Sequence, residues 1–155
     1  MVRLAELPEW DRKAKLEKVK ELTGFDERPW VSPPPLDQCR IAIVTTAGVH
    51  RKGDRPFGPG ATDYRIIPGD TKASNLLMSH QSVNFDRTGF QEDYNVVFPI
   101  DRLNDLARRK VIDSVADLHY SFMGAAQIRE LKPKARELAD LLKADGVDAV
   151  LLTPI

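Results

Sequence analysis

The chain has 155 residues, of which 42% are hydrophobic and 30% are charged, a composition that suits one globular domain rather than two. Its 23 basic and 23 acidic residues balance, which argues against bulk electrostatic binding to nucleic acid or to an anionic membrane surface. The first 22 residues are charged throughout and no run of about 18 apolar residues exists, so the sequence predicts neither a signal peptide nor a membrane span and favours the cytoplasm.

The amino-terminal residues predict a helix followed by a proline-rich arm. Pro8 suits a first helical turn, and apolar residues recur at helical spacing among lysines and glutamates as far as Leu22. The prolines at 33–35 then favour a polyproline II connector, because proline donates no backbone hydrogen bond and fixes φ. We therefore assign residues 1–37 to this arm and residues 38–155 to the main domain.

From Arg40 onward, apolar strands alternate with helices. The stretch RIAIVTTAG predicts a buried strand, and a long loop rich in glycine and proline follows over 49–70. LLMSH and NVVF are weaker strand candidates. Helices are predicted over 100–110 and over 125–144, where Pro133 is expected to cause a kink, with strands in DLHYSFMG and DAVLL. This order predicts an α/β fold with a Rossmann-like, mostly parallel sheet and helices on both faces.

The single cysteine, Cys39, excludes an internal disulfide and a cysteine zinc cluster. It precedes the apolar run RIAIV, and no histidine lies near it in the sequence. We interpret Cys39 as a small buried hydrophobe rather than a nucleophile.

All three histidines lie in or just after predicted strands. His50 and His80 are expected at the carboxyl ends of strands, the edge of a parallel sheet where ligands bind, and His119 lies within a strand. These three are the candidate catalytic residues. Polar side chains of the intervening loops are the candidate substrate-binding residues, namely Asp54, Asp63, Arg65, Asn84, Asp86 and Arg87. The alternative for each histidine is a hydrogen-bonded structural residue, and for Asp86 with Arg87 a plain loop ion pair.

Common cofactor motifs are missing from the sequence. The three histidines with Asp54 or Asp86 could hold a divalent metal, but no HxH or HExxH spacing is present. The stretch GDRPFGPG lacks the GK[ST] of a P-loop, and neither a dinucleotide fingerprint nor a GxSxG elbow occurs.

Four long stretches carry a resemblance to a known family. They are IVTTAGVHRKGDRPFGPGATDYRIIPGD, SHQSVNFDRTGFQEDYNVVFPIDRL, HYSFMGA and LLKADGVDAVLLTPI. Together they resemble the selenoprotein B family, which contains component B of glycine, sarcosine and betaine reductases and a related D-proline reductase subunit. The resemblance runs from about Arg40 to Ile155, and the chain looks most like small stand-alone members.

The resemblance implies where the reactive group belongs. In that family the strand resembling DAVLLTPI is followed at once by selenocysteine, and two residues later by cysteine, before a second half of the α/β domain. We therefore expect these 155 residues to lie upstream of a UGA codon. On this reading residues 38–155 are the amino-terminal part of a larger α/β unit, and the chain alone is an inactive oxidoreductase that holds no cofactor itself.

The expected function is reductive cleavage of a small molecule by a selenol or thiol. A helix amino terminus would favour the selenolate, and a cysteine two residues on could resolve it. A histidine could pair with the selenolate or return a proton, and Arg87 could bind a substrate carboxylate. The expected partners are a small-molecule substrate, a thiol reductant protein and further copies of the chain, since a sheet cut at its last strand would expose apolar surface.

Two other functions stay open at this point. One is a non-catalytic α/β domain that binds a ligand or a partner protein. The other is a metal-dependent enzyme that uses His50, His80 and His119. The codon after Ile155 separates the reductase from the binding domain, and metal analysis separates the metalloenzyme from both.

Overall fold

The computed structural model describes residues 3–21, 31–82, 85–126 and 128–155. The chain divides into two compact units, Met1–Ser32 and Pro33–Ile155. In the first unit helix α1 spans Glu9–Glu21, which confirms the predicted helix, while its predicted last residue, Leu22, lies outside the described residues. Residues 31–35 have no regular structure and lead into a 3₁₀ turn, so the polyproline arm stays a prediction.

The second unit is built around one central strand, β1 (Arg40–Thr45). On one side β1 pairs in parallel with β7 (Ala149–Thr153) over five residues. On its other side it pairs in parallel first with β5 (Ser114–Val115) and then with β6 (Leu118–Ser121). Strand β3 (Arg65–Pro68) closes that side and runs antiparallel to β6, so the sheet is mixed rather than uniformly parallel.

Helices cover the two faces of this sheet. Ile41 and Ile43 of β1 share a core cluster with α3 (Ile100–Arg108). Val44 packs into a second cluster with α4 (Ile128–Ala144). Because successive side chains of a strand point to opposite faces, α3 and α4 lie on opposite sides of the sheet. The predicted α/β class is confirmed at this level.

The prediction of one long loop over 49–70 is wrong in part, because this stretch contains two strands. Strand β2 (Val49–Arg51) pairs antiparallel with β4 (Leu76–Met78) in a separate two-stranded ribbon, and β3 joins the main sheet. The predicted strand in LLMSH therefore exists as β4 but does not belong to the parallel sheet. Strands of three or four residues give too short an alternation to be recognised without their partners.

The strand predicted in NVVF is also wrong. Tyr94–Val96 form a 3₁₀ turn that follows the short helix α2 (Thr88–Glu92). The Asp93 carboxylate accepts a hydrogen bond from the Asn95 N–H at 2.9 Å. This local bond stabilises a turn and outweighs the β propensity of the valines.

The predicted helices over 100–110 and 125–144 are confirmed with shorter bounds, as α3 and α4. Pro133 lies inside α4, as the sequence indicated. None of the helices within the described ranges is both long enough and apolar enough to cross a bilayer.

Candidate functional site

The carboxyl ends of β1, β6 and β7 meet at Thr46. The Thr46 N–H donates to the Thr153 carbonyl at 3.2 Å, and the Ile155 N–H donates to Thr46 Oγ1 at 2.8 Å. The Gly124 N–H donates to the Thr46 carbonyl at 2.8 Å. We call Thr46, Gly124 and Ile155 the carboxyl rim, since this is the edge at which α/β sheets bind ligands.

Gly124 allows the backbones of the rim to approach closely. A Cβ at this position would lie 2.8 Å from the Ile155 carbonyl oxygen and 2.9 Å from that of Thr46. Both neighbours are backbone atoms that cannot rotate away. Glycine is therefore needed for Ile155 to stay against Thr46.

The β2–β4 ribbon begins beside this rim. Gly48, at φ +67°, donates from its N–H to the Phe122 carbonyl at 2.8 Å, and its own carbonyl accepts from Ser79 at 3.0 Å. A Cβ on Gly48 would lie 3.1 Å from the Cα of His80. The ribbon thus brings the backbone of His80 against the chain that leaves β1.

His80 is buried in a loop held by Arg87. Its Nδ1 accepts from the Ser82 N–H at 3.1 Å, and its carbonyl accepts from Arg87 Nη2 at 2.6 Å. Its Nε2 has no hydrogen-bond partner among the described residues. Burial, and secondarily the Arg87 charge, lower the pKa of His80, which favours the neutral ring with the proton on Nε2.

His50 lies within β2 and is also buried. Its Nδ1 donates to the Arg51 carbonyl at 3.0 Å, and its ring packs edge-on against Phe57, with centroids 6.4 Å apart. This histidine therefore faces the loop that connects β2 to β3.

His119 contacts the middle of β1 instead of the rim. Its Nδ1 accepts from the Ile43 N–H at 3.0 Å, in the gap between the pairing of β5 and that of β6, and its ring packs on Phe98. Burial lowers the pKa of His119 to about 4. The three histidines thus have separate partners, and in the described part of the chain no three His, Cys, Asp or Glu side chains are placed to hold a metal ion. The metalloenzyme alternative gains no support from this arrangement.

Three of the candidate substrate-binding residues share one pocket of about 290 Å³. We call it the arginine pocket, and it is lined by Arg51, Asp54, Arg55, Asp63, Tyr64, Arg65 and Ile66. Arg51 pairs with Asp54 at 3.2 Å and Arg65 pairs with Asp63 at 2.8 Å. Because Arg65 also donates to the Arg55 carbonyl at 2.7 Å and lies 4.4 Å from the Phe57 ring centroid, its contacts hold the loop in shape.

Asp86 and Arg87 have different partners and do not form the loop ion pair considered from the sequence. The Asp86 carboxylate accepts from the Thr88 N–H at 2.9 Å at the start of α2, whereas Arg87 donates to the His80 loop. Asn84 lies outside the described residues. Sequence reasoning missed Thr46, Gly124 and Arg51, and the only signal for the first two was their position at the ends of the stretches predicted as strands.

Comparisons with known proteins identify a family for this chain. The family model for glycine/sarcosine/betaine reductase selenoprotein B matches residues 25–155. The D-proline reductase subunit gamma of Acetoanaerobium sticklandii is 37% identical over 134 residues, which cover 79% of this chain and 54% of that protein. The glycine reductase complex component B subunit gamma of Symbiobacterium thermophilum is 32% identical over 140 residues, which cover 85% of this chain and 32% of that protein.

The sarcosine reductase complex component B subunit beta of Peptoclostridium acidaminophilum is 31% identical over 148 residues, which cover 90% of this chain and 33% of that protein. The chain thus spans from about half to about a third of the length of these relatives. No solved structure matches it. The family match covers most of the chain and confirms the resemblance seen in the sequence. The chain belongs to the glycine/sarcosine/betaine reductase selenoprotein B family.

Proposed function

We propose that this chain supplies the amino-terminal part of a reductase that cleaves a small molecule with a selenol or thiol nucleophile. Membership of the selenoprotein B family supports this, as do relatives whose names describe reductase subunits for D-proline, glycine and sarcosine. The proposed substrate for this chain is a small molecule, and the proposal does not specify D-proline, glycine or sarcosine, the compounds named for the relatives.

The geometry of the carboxyl rim is the observation that carries the proposal. The resemblance expects selenocysteine directly after the stretch DAVLLTPI. That stretch ends with the Ile155 N–H bonded to Thr46 Oγ1 and with its backbone against Gly124. A residue joined to Ile155 would therefore begin at the edge where the ends of β1, β6 and β7 converge, with its main chain fixed on one side by Thr46.

The proposed reaction starts from the selenolate or thiolate. It attacks a substrate carbon and forms a bond to it, while the leaving group departs with the bonding electrons and takes up a proton. The thiol of the cysteine expected two residues on then attacks the selenium, so that the carbon product leaves with the bonding electrons and takes up a proton, and a selenide–sulfide bond remains. A thiol reductant protein reduces that bond by two electrons, is itself oxidised to a disulfide, and so regenerates the nucleophile. We assign the proton donor to His50 or to His80, because His50 lies in the ribbon that begins beside the rim and His80 lies in the loop directly after that ribbon. His119 is less suited, since its Nδ1 is bonded to the backbone of β1 and its ring is fully buried.

The arginine pocket is the proposed site for the polar end of the substrate. Arg51 and Arg65 already have carboxylate partners, whereas no ion pair is seen for Arg55 among the described residues. An anionic group of the substrate would give Arg55 a partner of opposite charge. A carboxylate suits this role, because two N–H groups of a guanidinium can donate to its two oxygens. Further copies of the chain and a cytoplasmic location, where the single thiol of Cys39 would stay reduced, belong to the same proposal.

The first test reads the gene beyond the codon for Ile155. We expect UGA, then an open frame with a cysteine codon two residues on. UAA, UAG or a closed frame would remove the selenium chemistry and leave a binding domain.

The second test is chemical and has an internal control. In the native protein, iodoacetamide at pH 6 should label the selenol and leave Cys39 untouched, because a selenol is ionised there while burial raises the pKa of the Cys39 thiol. Peptide mass spectrometry locates the label. Labelling at Cys39 alone would count against the proposal.

A further inference from the structure

The outer side of β7 is an open strand edge. Among the described strands β7 pairs only with β1. The Asp148 N–H, directly before β7, donates to the Arg40 carbonyl at 3.0 Å. Because successive N–H groups of a strand point to opposite sides, those of Ala149 and Leu151 point away from β1. A strand edge with free backbone groups and apolar side chains favours pairing with a further strand.

The two faces of β7 are not equally covered. Leu152 pairs with Val44 of β1, and Val44 packs into the core cluster of α4. Because paired residues share a face and alternate residues return to it, Leu152 and Val150 both lie on the α4 face. Leu152 is 67% exposed there, whereas Leu151, on the α3 face, is 37% exposed. The α4 face of β7 therefore lacks a covering element among the described residues.

The connection from β6 to β7 determines on which face a following helix would lie. The chain passes from β6 over β1 to β7, all three strands are parallel, and α4 forms the crossover. Such crossovers are almost always right-handed. Since β1 occupies the inner side of β7, a further parallel strand can pair only at the outer edge. A right-handed crossover that continues in this direction places its helix on the same face as α4, the face on which Leu152 is exposed.

We propose that a strand and a helix of the polypeptide that follows Ile155 complete the sheet at β7. The strand pairs in parallel with β7 at Ala149 and Leu151, and the apolar side of the helix covers Val150 and Leu152. This inference rests on the proposed function, in which the reading frame continues past Ile155. The length of the relatives supports it, since the match covers 54% of the D-proline reductase subunit gamma and leaves almost half of that protein outside it.

The completed sheet would have a binding crevice between the ends of β1 and β7. The chain that leaves β1 continues to Val49, which packs in the core cluster of α3, whereas the chain that leaves β7 would continue to the α4 face. Neighbouring strands whose connections leave to opposite faces form a topological switch point, where α/β proteins bind ligands. The hydrogen bond from the Ile155 N–H to Thr46 Oγ1 lies at this point. The substrate of the proposed reductase would therefore bind above Thr46.

The test follows hydrogen exchange of the Leu151 amide in two proteins. One is the 155-residue chain at low concentration, and the other is the product of the whole reading frame, with cysteine at any UGA codon. In the short chain this N–H faces the open edge and should exchange close to the intrinsic rate. In the longer product the added strand should slow its exchange by about 100-fold or more, at all protein concentrations.

Leu152→Lys tests the proposed helix. In the longer product the lysine would be buried under that helix, so exchange at Leu151 should become at least about tenfold faster. In the 155-residue chain the same substitution should leave the urea midpoint nearly unchanged, because Leu152 is already mostly exposed. Leu77→Lys, at an exposed leucine of the β2–β4 ribbon, is the matched control and should change neither quantity. If Leu152→Lys does not fold in the longer product, exchange in the unaltered product decides.

Three results would overturn the proposal. Fast exchange at Leu151 in the longer product would show that the edge of β7 stays open. Protection that increases with protein concentration would show that a second copy covers the edge instead. A frame that closes directly after Ile155 would remove the proposed strand and helix.

These results separate the proposal from the reductase chemistry. The first two leave the selenol and its labelling untouched, so the proposed function would stand without the added strand. A protected Leu151 amide in a product whose frame continues without a UGA codon would have the opposite meaning. It would remove the selenium chemistry and support the completed sheet.

Discussion

Each of the three histidines has its tautomer set by a backbone group. His119 and His80 accept at Nδ1 from the N–H groups of Ile43 and Ser82, whereas His50 donates at Nδ1 to the Arg51 carbonyl. The sequence can identify a histidine as a candidate functional residue, but it cannot show that the hydrogen-bond partner of the ring is a backbone group. In His119 that partner lies 76 residues away along the chain, so only the fold brings the two together.

The low pKa of His119 predicts a loss of stability in weak acid. The ring has a pKa of about 4 in the folded protein, against about 6.5 when unfolded, so the unfolded chain binds more protons between these values. The stabilisation is complete above about pH 6.5 and is lost as the pH falls towards 4, up to about 3 kcal/mol. Urea unfolding at several pH values measures this.

His119→Asn is the control for that measurement. Asparagine Oδ1 can replace Nδ1 as the acceptor for Ile43 but does not titrate in this range. The pH dependence of the free energy of unfolding should become shallower in the variant, though not flat, because the pKa of His80 is also lowered. An unchanged pH dependence would show that His119 is not responsible.

At the scale of elements, the length of each strand or helix decided whether the sequence could predict it. The central strand β1, both long helices and β7 were predicted because their apolar patterns extend over five or more residues. Strands β2 and β5 were missed because two or three residues carry no readable period. Their pairing depends on distant partners, as when Val49 of β2 pairs with Met78.

Pro133 gives a prediction for α4. The residue lies exposed inside the helix, where proline lacks the N–H of an internal hydrogen bond and clashes with the preceding turn. Pro133→Ala should raise the free energy of unfolding by about 1 to 3 kcal/mol. Chemical denaturation measures the change, and Lys132→Ala, at the neighbouring exposed position, should alter stability by less than about 0.5 kcal/mol. A destabilised Pro133→Ala would mean that proline fits a bend that the packing of α4 requires.

At the scale of the whole molecule, β7 stands out because its sequence is that of a buried strand. Nevertheless Leu152 is 67% exposed, Val150 36% and Leu151 37%, and among the described strands β7 pairs only with β1. Burial is a property of what packs on a strand and cannot be read from the strand itself. The carboxyl rim shows the same limit, since the sequence placed candidates near strand ends but could not show that Thr46 would join three of them.

The exposed strand supports the prediction that the chain associates with itself. An apolar, unpaired edge favours pairing with another chain. Sedimentation should therefore show association that increases with concentration, and Leu152→Lys should weaken it at least about tenfold. Leu77→Lys, at an exposed leucine of the β2–β4 ribbon, should leave it unchanged. A monomer at all concentrations for the unaltered chain would contradict the prediction.

The pairing of β1 with β7 also bears on how the protein is made. The Arg40 N–H donates to the Asp148 carboxylate across 108 residues. The backbone N–H and carbonyl groups on that side of β1 have their hydrogen-bond partners only after β7 has paired with the strand. When a ribosome reads the triplet after Ile155, β7 is still inside the exit tunnel. One side of the central strand is therefore open while that triplet is decoded, and the sheet closes only once more chain has been synthesised or the chain has been released.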